Sequence, residues 1–490
     1  MLWNLLLSIS VTADGDATPP PVMREFRAAW VATVDNIDWP SKRTLTTSQQ
    51  RQELVAILDR AQSLRLNAII FQVRPSADAL YPSKLEPWSE YLTGKQGTPP
   101  NPAWDPLQFA IAESRKRGLE LHVWLNPYRA FHFAQKGPNH PTHLSNTRPD
   151  IVRKYGRYQW MDPGEPDVQQ HSLKVVEDIL TRYEVDGIHI DDYFYPYKEQ
   201  NLPFPDDASY AKYTAGGGRL SRDDWRRKNV DDFVRNLNTT VHRVRPKARF
   251  GISPFGIYRP GVPAGIKAGV DQYADLYADA KKWLNEGWCD YFTPQLYWPI
   301  KQTPQSYRTL LDWWLTENPK KRHLWIGNFT SRTDPAAGNW SATEVIDQIN
   351  LTRQRGAGGN VHFSMKALMR NYNSIADQLR GKVYSRPALP PATPWLDSVA
   401  PLAPKLSYDL ASKELDVFSR ASDGTRWWIV QSEFADGGTV RWETRVIPAA
   451  EQSAIVTIEP MLGSASLRQI WVAAVDEVGN QSPYGKVSPN

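Results

Sequence analysis

Between Arg24 and about Tyr372, short apolar runs of strand character alternate with segments of helical spacing, eight of each, and no other feature constrains the chain as strongly. Strands that alternate with helices favour βα units, because a parallel neighbour needs a crossover and the crossover helix covers the sheet. Eight units close into a (β/α)8 barrel. The pattern predicts strands near Phe26 to Val34, Ala68 to Val73, Leu119 to Leu125, Gly187 to Asp191, Phe250 to Pro254, Tyr291 to Leu296, His323 to Gly327 and Asn360 to Ser364. Helix signals fall between them. Leu54, Leu58 and Ala61 share a helical face, Asp105 with Pro106 opens the second helix and Gly118 follows its end, and Ser341 with Glu344 reads as a capping box before the seventh.

At 490 residues the chain exceeds one ordinary core. A Pro-rich stretch from Pro387 to Pro404 reads as an extended linker, after which short strand patterns recur about every ten residues with Asp-Gly and Gly-Gly turns. The expected fold class is therefore α/β, a (β/α)8 TIM barrel over residues 23–385, with a leader at 1–22, a linker at 386–404 and a small all-β sandwich at 405–490 that is similar to a fibronectin type III module. The segments after the second, third and fourth strands are longer than ordinary βα loops, and long loops at that end of a barrel build clefts.

The 58 basic and 53 acidic side chains leave a net charge of only +5 with no Lys/Arg run, which removes nucleic acid as a partner. The 20 Trp and 21 Tyr residues, many in loop stretches, suit sugar rings, whose flat C–H faces stack on aromatic rings. Cys289 is the single cysteine, so no intrachain disulfide exists and its expected role is that of a small buried hydrophobe. Leu2 to Val11 followed by Thr12 and Ala13 resembles a shortened secretory signal without a basic start, so export to the periplasm or the exterior is expected. The run is too short for a membrane span, and no other stretch qualifies.

The segment Val185 to Pro196 runs from a buried-strand pattern into two adjacent carboxylates and then aromatic residues. Alternation puts His189 and Asp191 on one face of the fourth strand, with Ile188 and Ile190 on the other. A carboxylate at the inward end of an apolar strand costs several kcal/mol, about the penalty for desolvating an ion, unless it is paired or used. The same period-two count on the other strands points Gln72, Arg74, His122, Trp124, Asn126, Tyr291, Thr293, Gln295, Tyr297, Asn328, His362 and Ser364 towards one mouth. Glycoside hydrolysis uses two carboxyl groups, one ionised and one protonated. Asp191 is the candidate for the ionised member, with Arg74 reaching across the barrel to hold it charged. Asp192, Asp38 beside Trp39, and Asp78 are candidates for the other, in that order. Tyr193, Tyr195, Trp298 and Trp39 are expected to line sugar subsites, with Gln72, Trp124, Asn126, Arg129, His189, Gln295 and Tyr297 as further binding residues.

The ordered strings Trp30-Val-Ala-Thr-Val with Asn36-Ile-Asp-Trp-Pro, Phe71-Gln-Val-Arg-Pro, Asp78-Ala-Leu-Tyr-Pro, Trp124-Leu-Asn-Pro-Tyr-Arg129, Asp186-Gly-Ile-His-Ile-Asp-Asp-Tyr-Phe-Tyr-Pro, Gly251-Ile-Ser-Pro-Phe-Gly and Pro294-Gln-Leu-Tyr-Trp-Pro299 resemble the glycosyl-hydrolase-like family ten. The resemblance implies a glycosidase-type barrel, often exported and sometimes followed by a fibronectin-like module, that acts on peptidoglycan glycan strands stripped of their stem peptides. It also implies a nucleophilic role for Asp191, through the Gly-x-x-x-Asp context of Gly187 to Asp191, and leaves the acid unassigned. No cofactor and no metal are expected. One alternative is a metal-dependent hydrolase, with His122, His189 and Asp191 as a zinc set, although neither His-x-His nor His-Glu-x-x-His occurs. Another is a non-catalytic glycan-binding barrel.

Overall fold

A computed structural model describes residues 18–200, 202–449 and 451–489. The signal-like run at Leu2 to Val11 lies outside them. The core is a closed barrel of eight parallel strands: β1 (Phe26–Val31), β2 (Ala68–Arg74), β3 (Glu120–Leu125), β4 (Gly187–Ile190), β5 (Arg249–Ile252), β6 (Tyr291–Phe292), β7 (His323–Asn328) and β8 (Gly359–His362), neighbours in chain order with β8 closing on β1. Helices cover it between strands: α1 (Thr47–Ser63), α2 (Pro106–Lys116), α3 (Pro166–Arg182), α4 (Arg222–Val244), α5 (Ala280–Glu286), α6 (Tyr307–Thr316), α7 (Ala342–Gln354) and, after β8, α8 (Ile375–Gln378).

Alternation along each strand divides the buried residues into two sets. Ala29, Val31, Phe71, Val123, Ile188, Ile190, Ile252 and Ile326 pack outward against the helices. Phe26, Trp30, Ile70, Trp124, Tyr291, Trp325 and Val361 fill the barrel, so its interior is packed rather than open. Helix starts follow their caps. The Asp105 side chain accepts from the amides of Leu107 and Gln108 with Pro106 in the first turn, and Gly118 takes φ +68° beyond the helix end. The capping box expected at Ser341 is only half present. Ser341 accepts from the Thr343 amide, but the Glu344 carboxylate instead accepts from the Ile300 amide at 2.8 Å and from Gln348, joining α7 to the loop after β6. The reciprocal box occurs at Thr46 and Gln49, where α1 begins.

Beyond the barrel lie β9 (Lys405–Asp409), β10 (Glu414–Phe418), β11 (Thr425–Asp436), β12 (Thr439–Pro448), β13 (Ser453–Thr457), β14 (Met461–Leu462), β15 (Ala465–Asp476) and β16 (Gly485–Val487). They form two antiparallel sheets, β9-β10-β13 and β12-β11-β15 with β14 and β16. Leu415 and Val417 of one sheet and Trp428, Val430, Ile470 and Val472 of the other make a common core, a β-sandwich. The sandwich sits on the N-terminal end of the barrel. Arg426 pairs with Asp186 at 2.9 Å just before β4, the Trp427 indole donates to the Gly118 carbonyl just before β3, and Lys247, just before β5, pairs with Asp397. The connecting segment is pinned as well. Ala388–Leu389 pairs in parallel with Met23–Arg24, Thr393 accepts from Arg249, and the Trp395 indole donates to Asp290. Among the described residues no helix is long and apolar enough to cross a membrane.

Candidate active site

At the opposite, C-terminal end of the strands a cavity of about 490 Å³ opens, the end at which barrels of this kind carry their chemistry. Its floor and walls hold Trp30, Gln72, Trp124, Asp191, Asp192 and Ser253 from the strand ends, and Arg129, Tyr193, Tyr197, Gln295, Tyr297, Trp298, Phe329, Arg332 and Phe363 from the loops that follow. An antiparallel sheet inserted between β3 and α3 (Arg129–Phe131, Tyr158–Met161, Val152–Tyr155) brings His132 to one side.

Asp191 is the first residue beyond β4. Its carboxylate accepts from the Trp124 indole at 3.0 Å and from the Asn126 amide at 3.2 Å, both at the end of the neighbouring β3. Burial pushes Asp191 up to about 7, while the Arg129 charge and these two donors pull it down and the adjacent Asp192 adds to the rise. The Arg129 guanidinium stands over the Tyr193 ring and donates to the Pro75 carbonyl, and its own amide donates to the Asn126 side-chain oxygen. Asn126 thus ties the acid and its cation into one unit. Asp192 is also raised by burial, opposed by the Tyr197 hydroxyl, which donates to it, and by Gln295. Two carboxyls held high in one pocket can share the ionised and protonated roles of acid–base chemistry.

Gln72 shows what the cavity asks of a ligand. Its side-chain oxygen accepts from the amides of Thr33 and Val34, both at 2.9 Å, which fixes the orientation of the group. Its Nε2 has no acceptor although it is buried at the cavity. A buried donor left unpaired costs about 1–3 kcal/mol, so this atom suits an acceptor brought by a ligand. The aromatic walls are Tyr193 against Tyr197 on one side and Tyr297 stacked on Phe329 at 4.6 Å on the other.

Several residues expected here lie elsewhere. Arg74 does not reach Asp191: the pairing of β2 with β3 slips between Gln72 and Arg74, which turns Arg74 to the outer face, where it forms a buried ion pair with Glu86. Arg129 is the cation facing Asp191. Asp38 lies outside the cavity and accepts from the amides of Ala32 and Lys366 and the Ser364 hydroxyl; burial raises it to about 6. Asp78 is likewise walled off, bonded to the Ser76 amide and Gln96 and raised by burial to about 7. Both carboxyls fasten loops. The second acid that does line the cavity, apart from Asp192, is Asp35, at the rim near Arg43. Trp39 is fully buried against Phe71 and Trp104 with its indole on the Gln50 carbonyl, and Tyr195 packs on Phe204 and Tyr277. Asn328 and His362 face outward, where Asn328 meets Gln348 and Tyr307 and His362 meets Thr330 and Tyr384.

His189 lies beneath the floor. The Trp30 indole can only donate, so His189 Nε2 accepts it at 3.2 Å and its Nδ1–H is left to donate to the Tyr291 oxygen at 3.0 Å. Tyr291 then donates to His122 Nδ1, whose Nε2–H donates to Glu120, itself paired with Arg249. Burial holds His189 well below the usual imidazole range, consistent with this neutral tautomer. The zinc set suggested by sequence is therefore not assembled: both imidazoles turn to Tyr291 while Asp191 faces Trp124 and Asn126, and among the described residues no group of three or more His, Cys, Asp or Glu side chains gathers as metal ligands. Trp30, Tyr197, Phe329, Phe363 and Arg332 escaped the sequence reading. Trp30 lies two residues from Ala28 on the inward face of β1, so the period-two count could have found it; the others stand on loops without a period.

A parallel eight-stranded barrel with buried carboxyls at the C-terminal mouth of an aromatic, donor-rich cavity defines a barrel of glycosidase type. The family described as Glycosyl hydrolase-like 10 matches residues 25–341. Glycosyl hydrolase YngK of Bacillus subtilis is 44% identical over 397 residues, 78% of this chain and 76% of that protein. Glycosyl hydrolase DigH of Escherichia coli K12 is 35% identical over 341 residues, 65% of this chain and 76% of that protein. The glycoside hydrolase domain of PgaB from Bordetella bronchiseptica superposes with a TM-score of 0.48 at 13% identity, covering 73% of this chain and 98% of that one. The chain belongs to the Glycosyl hydrolase-like 10 family and is a glycosidase.

Proposed function

We propose that the enzyme cleaves the glycosidic bonds of a bacterial cell-wall-type glycan, namely peptidoglycan strands without stem peptides, and that Asp191 and Asp192 carry the reaction. The observation that supports this most is the unit formed by Asp191, Trp124, Asn126 and Arg129 on the cavity floor. Burial raises Asp191 to about 7, and two hydrogen-bond donors and a cation keep it from rising further, so that above that pH it is ionised, as a nucleophile at the anomeric carbon or a base on the attacking water must be. Asp192, raised by burial beside it, supplies the proton that passes to the leaving oxygen as the C–O bond breaks. Water's oxygen ends on the anomeric carbon, and its proton restores the acid. An exported location belongs to the same reading, since the polymer lies outside the cytoplasm and the run at Leu2 to Val11 resembles a signal.

The test is incubation of stripped glycan strands with wild type, Asp191→Asn and Asp192→Asn, followed by mass analysis. Wild type should yield fragments and each variant should lose about 10²- to 10⁴-fold in rate. Aryl glycosides with good leaving groups separate the roles: they need no acid, so they should rescue Asp192→Asn and not Asp191→Asn. Equal turnover by wild type and Asp191→Asn would remove that residue from the mechanism.

A further inference from the structure

The cavity carries two guanidinium groups, Arg129 from the loop after β3 and Arg332 from the loop after β7. Those strands are four apart in a ring of eight, so the two cations stand on opposite sides of the mouth. Arg129 already has its counter-charge in Asp191. Arg332 has none. It forms no ion pair among the described residues, one of its nitrogens donates to the Ala337 carbonyl at 2.7 Å, and its guanidinium stands over the Phe329 ring at 5.0 Å. These two contacts set the plane of the group and leave its other N–H donors facing solvent at the exposed rim of the cavity. The cavity's acids cannot serve it, because Asp191 and Asp192 are occupied by Trp124, Asn126 and Tyr197, and Asp35 stands near Arg43. The buried orphan Nε2 of Gln72, on the cavity floor, is a donor as well.

We infer that Arg332 and Phe329 form a subsite for a sugar bearing a free carboxylate, so that the enzyme selects an acidic glycan over its neutral counterpart. The inference rests on the proposed glycan-cleaving role of the cavity and adds the charge of the substrate to it. A planar guanidinium binds a carboxylate through paired hydrogen bonds, and the Phe329 ring beneath it, itself stacked on Tyr297, holds the plane of the group. A strand whose sugar acids are free meets this requirement, and one whose acids are tied up as amides does not. Selection for bare strands then follows from charge as well as from room.

The probes are glycan strands with free sugar carboxylates and the same strands amidated with a small amine. Binding is read by titration calorimetry on Asp191→Asn, which keeps the polymer intact, with and without Arg332→Gln or Arg332→Lys. The acid form should bind about 10- to 100-fold more tightly than the amidated form, the range of a charge-assisted pair. Arg332→Gln should erase the difference between the two forms, and Arg332→Lys should restore part of it. Equal binding of the two forms, or a preference that survives Arg332→Gln, overturns the inference. Cleavage by the wild type is a separate readout: acid-selective binding without cleavage would refute the proposed reaction and leave the subsite standing.

Discussion

Replacing Trp124 by Phe keeps an aromatic ring on the floor of the cavity and removes one N–H, the one that reaches Asp191 at 3.0 Å. A hydrogen bond to a charged acceptor contributes about 1.5–3 kcal/mol, and about 1.4 kcal/mol corresponds to one pKa unit. Water admitted by the smaller side chain offsets part of that loss, so Asp191 should rise by about one unit from its value of about 7. The sign follows from the bond. The indole stabilises the carboxylate, and without it the proton is held to higher pH. If the reaction needs Asp191 ionised, the acid limb of kcat/KM should move up by about one pH unit while the basic limb stays in place. Profiles between pH 5 and 10 on stripped glycan strands would show the variant about tenfold slower at pH 6 and closest to wild type at high pH. Superimposable acid limbs would refute both the electrostatic role of Trp124 and the assignment of Asp191 as the ionised group.

Gln72→Leu should raise KM on the polymer and lower the melting temperature, because the Thr33 and Val34 amides lose their acceptor at a cost of about 1–3 kcal/mol; an unchanged KM would show that Nε2 meets no substrate atom. Alanine at Tyr193, Tyr297 or Trp298 should weaken polymer binding by about 1–3 kcal/mol, taking aromatic stacking on bases as the guide, with little change in melting. Alanine at the buried Trp39 should destabilise the fold by about 3–5 kcal/mol, and the two groups would exchange behaviour in calorimetry if the cavity were misplaced. Asp38 and Asp78 keep protons to about 6 and 7 in the folded chain and only to ordinary carboxylate values when unfolded. The folded state therefore binds more protons between about pH 4 and 7, and stability falls as pH rises through that window. Asp78→Asn should flatten the dependence in melting curves, and an identical slope in the variant would count against it.

The barrel was legible because each strand carries its own periodicity and each helix its own start signal, as at Asp105 and Pro106. Asp191, Trp124, Asn126 and Gln72 were legible for the same reason, since alternation from a strand's buried residues tells which side its last residues face. Arg74 was misassigned where the alternation itself breaks, at the slip between Gln72 and Arg74 that no local sequence signal announces. Asn328 and His362 went wrong by a single step of phase on β7 and β8, which places both under the helices. Trp39 and Tyr195 look like surface aromatics in loop sequence, and only the tertiary packing of Phe71, Trp104, Phe204 and Tyr277 buries them. Arg332 depends on which loop follows which strand around a closed ring, information that exists only once the ring is closed.

The β-sandwich plugs the end of the barrel remote from the cavity and is bolted there through Arg426, Trp427, Trp395 and Lys247. Cargo fused to the C-terminus would hang below the barrel, out of the path of an approaching polymer, so the enzyme can be tethered by its tail to a bead or surface with its mouth still facing outward. Trimming the chain at the proline-rich segment would have the opposite effect, uncorking the barrel and leaving Asp186 and Asp290 without their Arg426 and Trp395 partners.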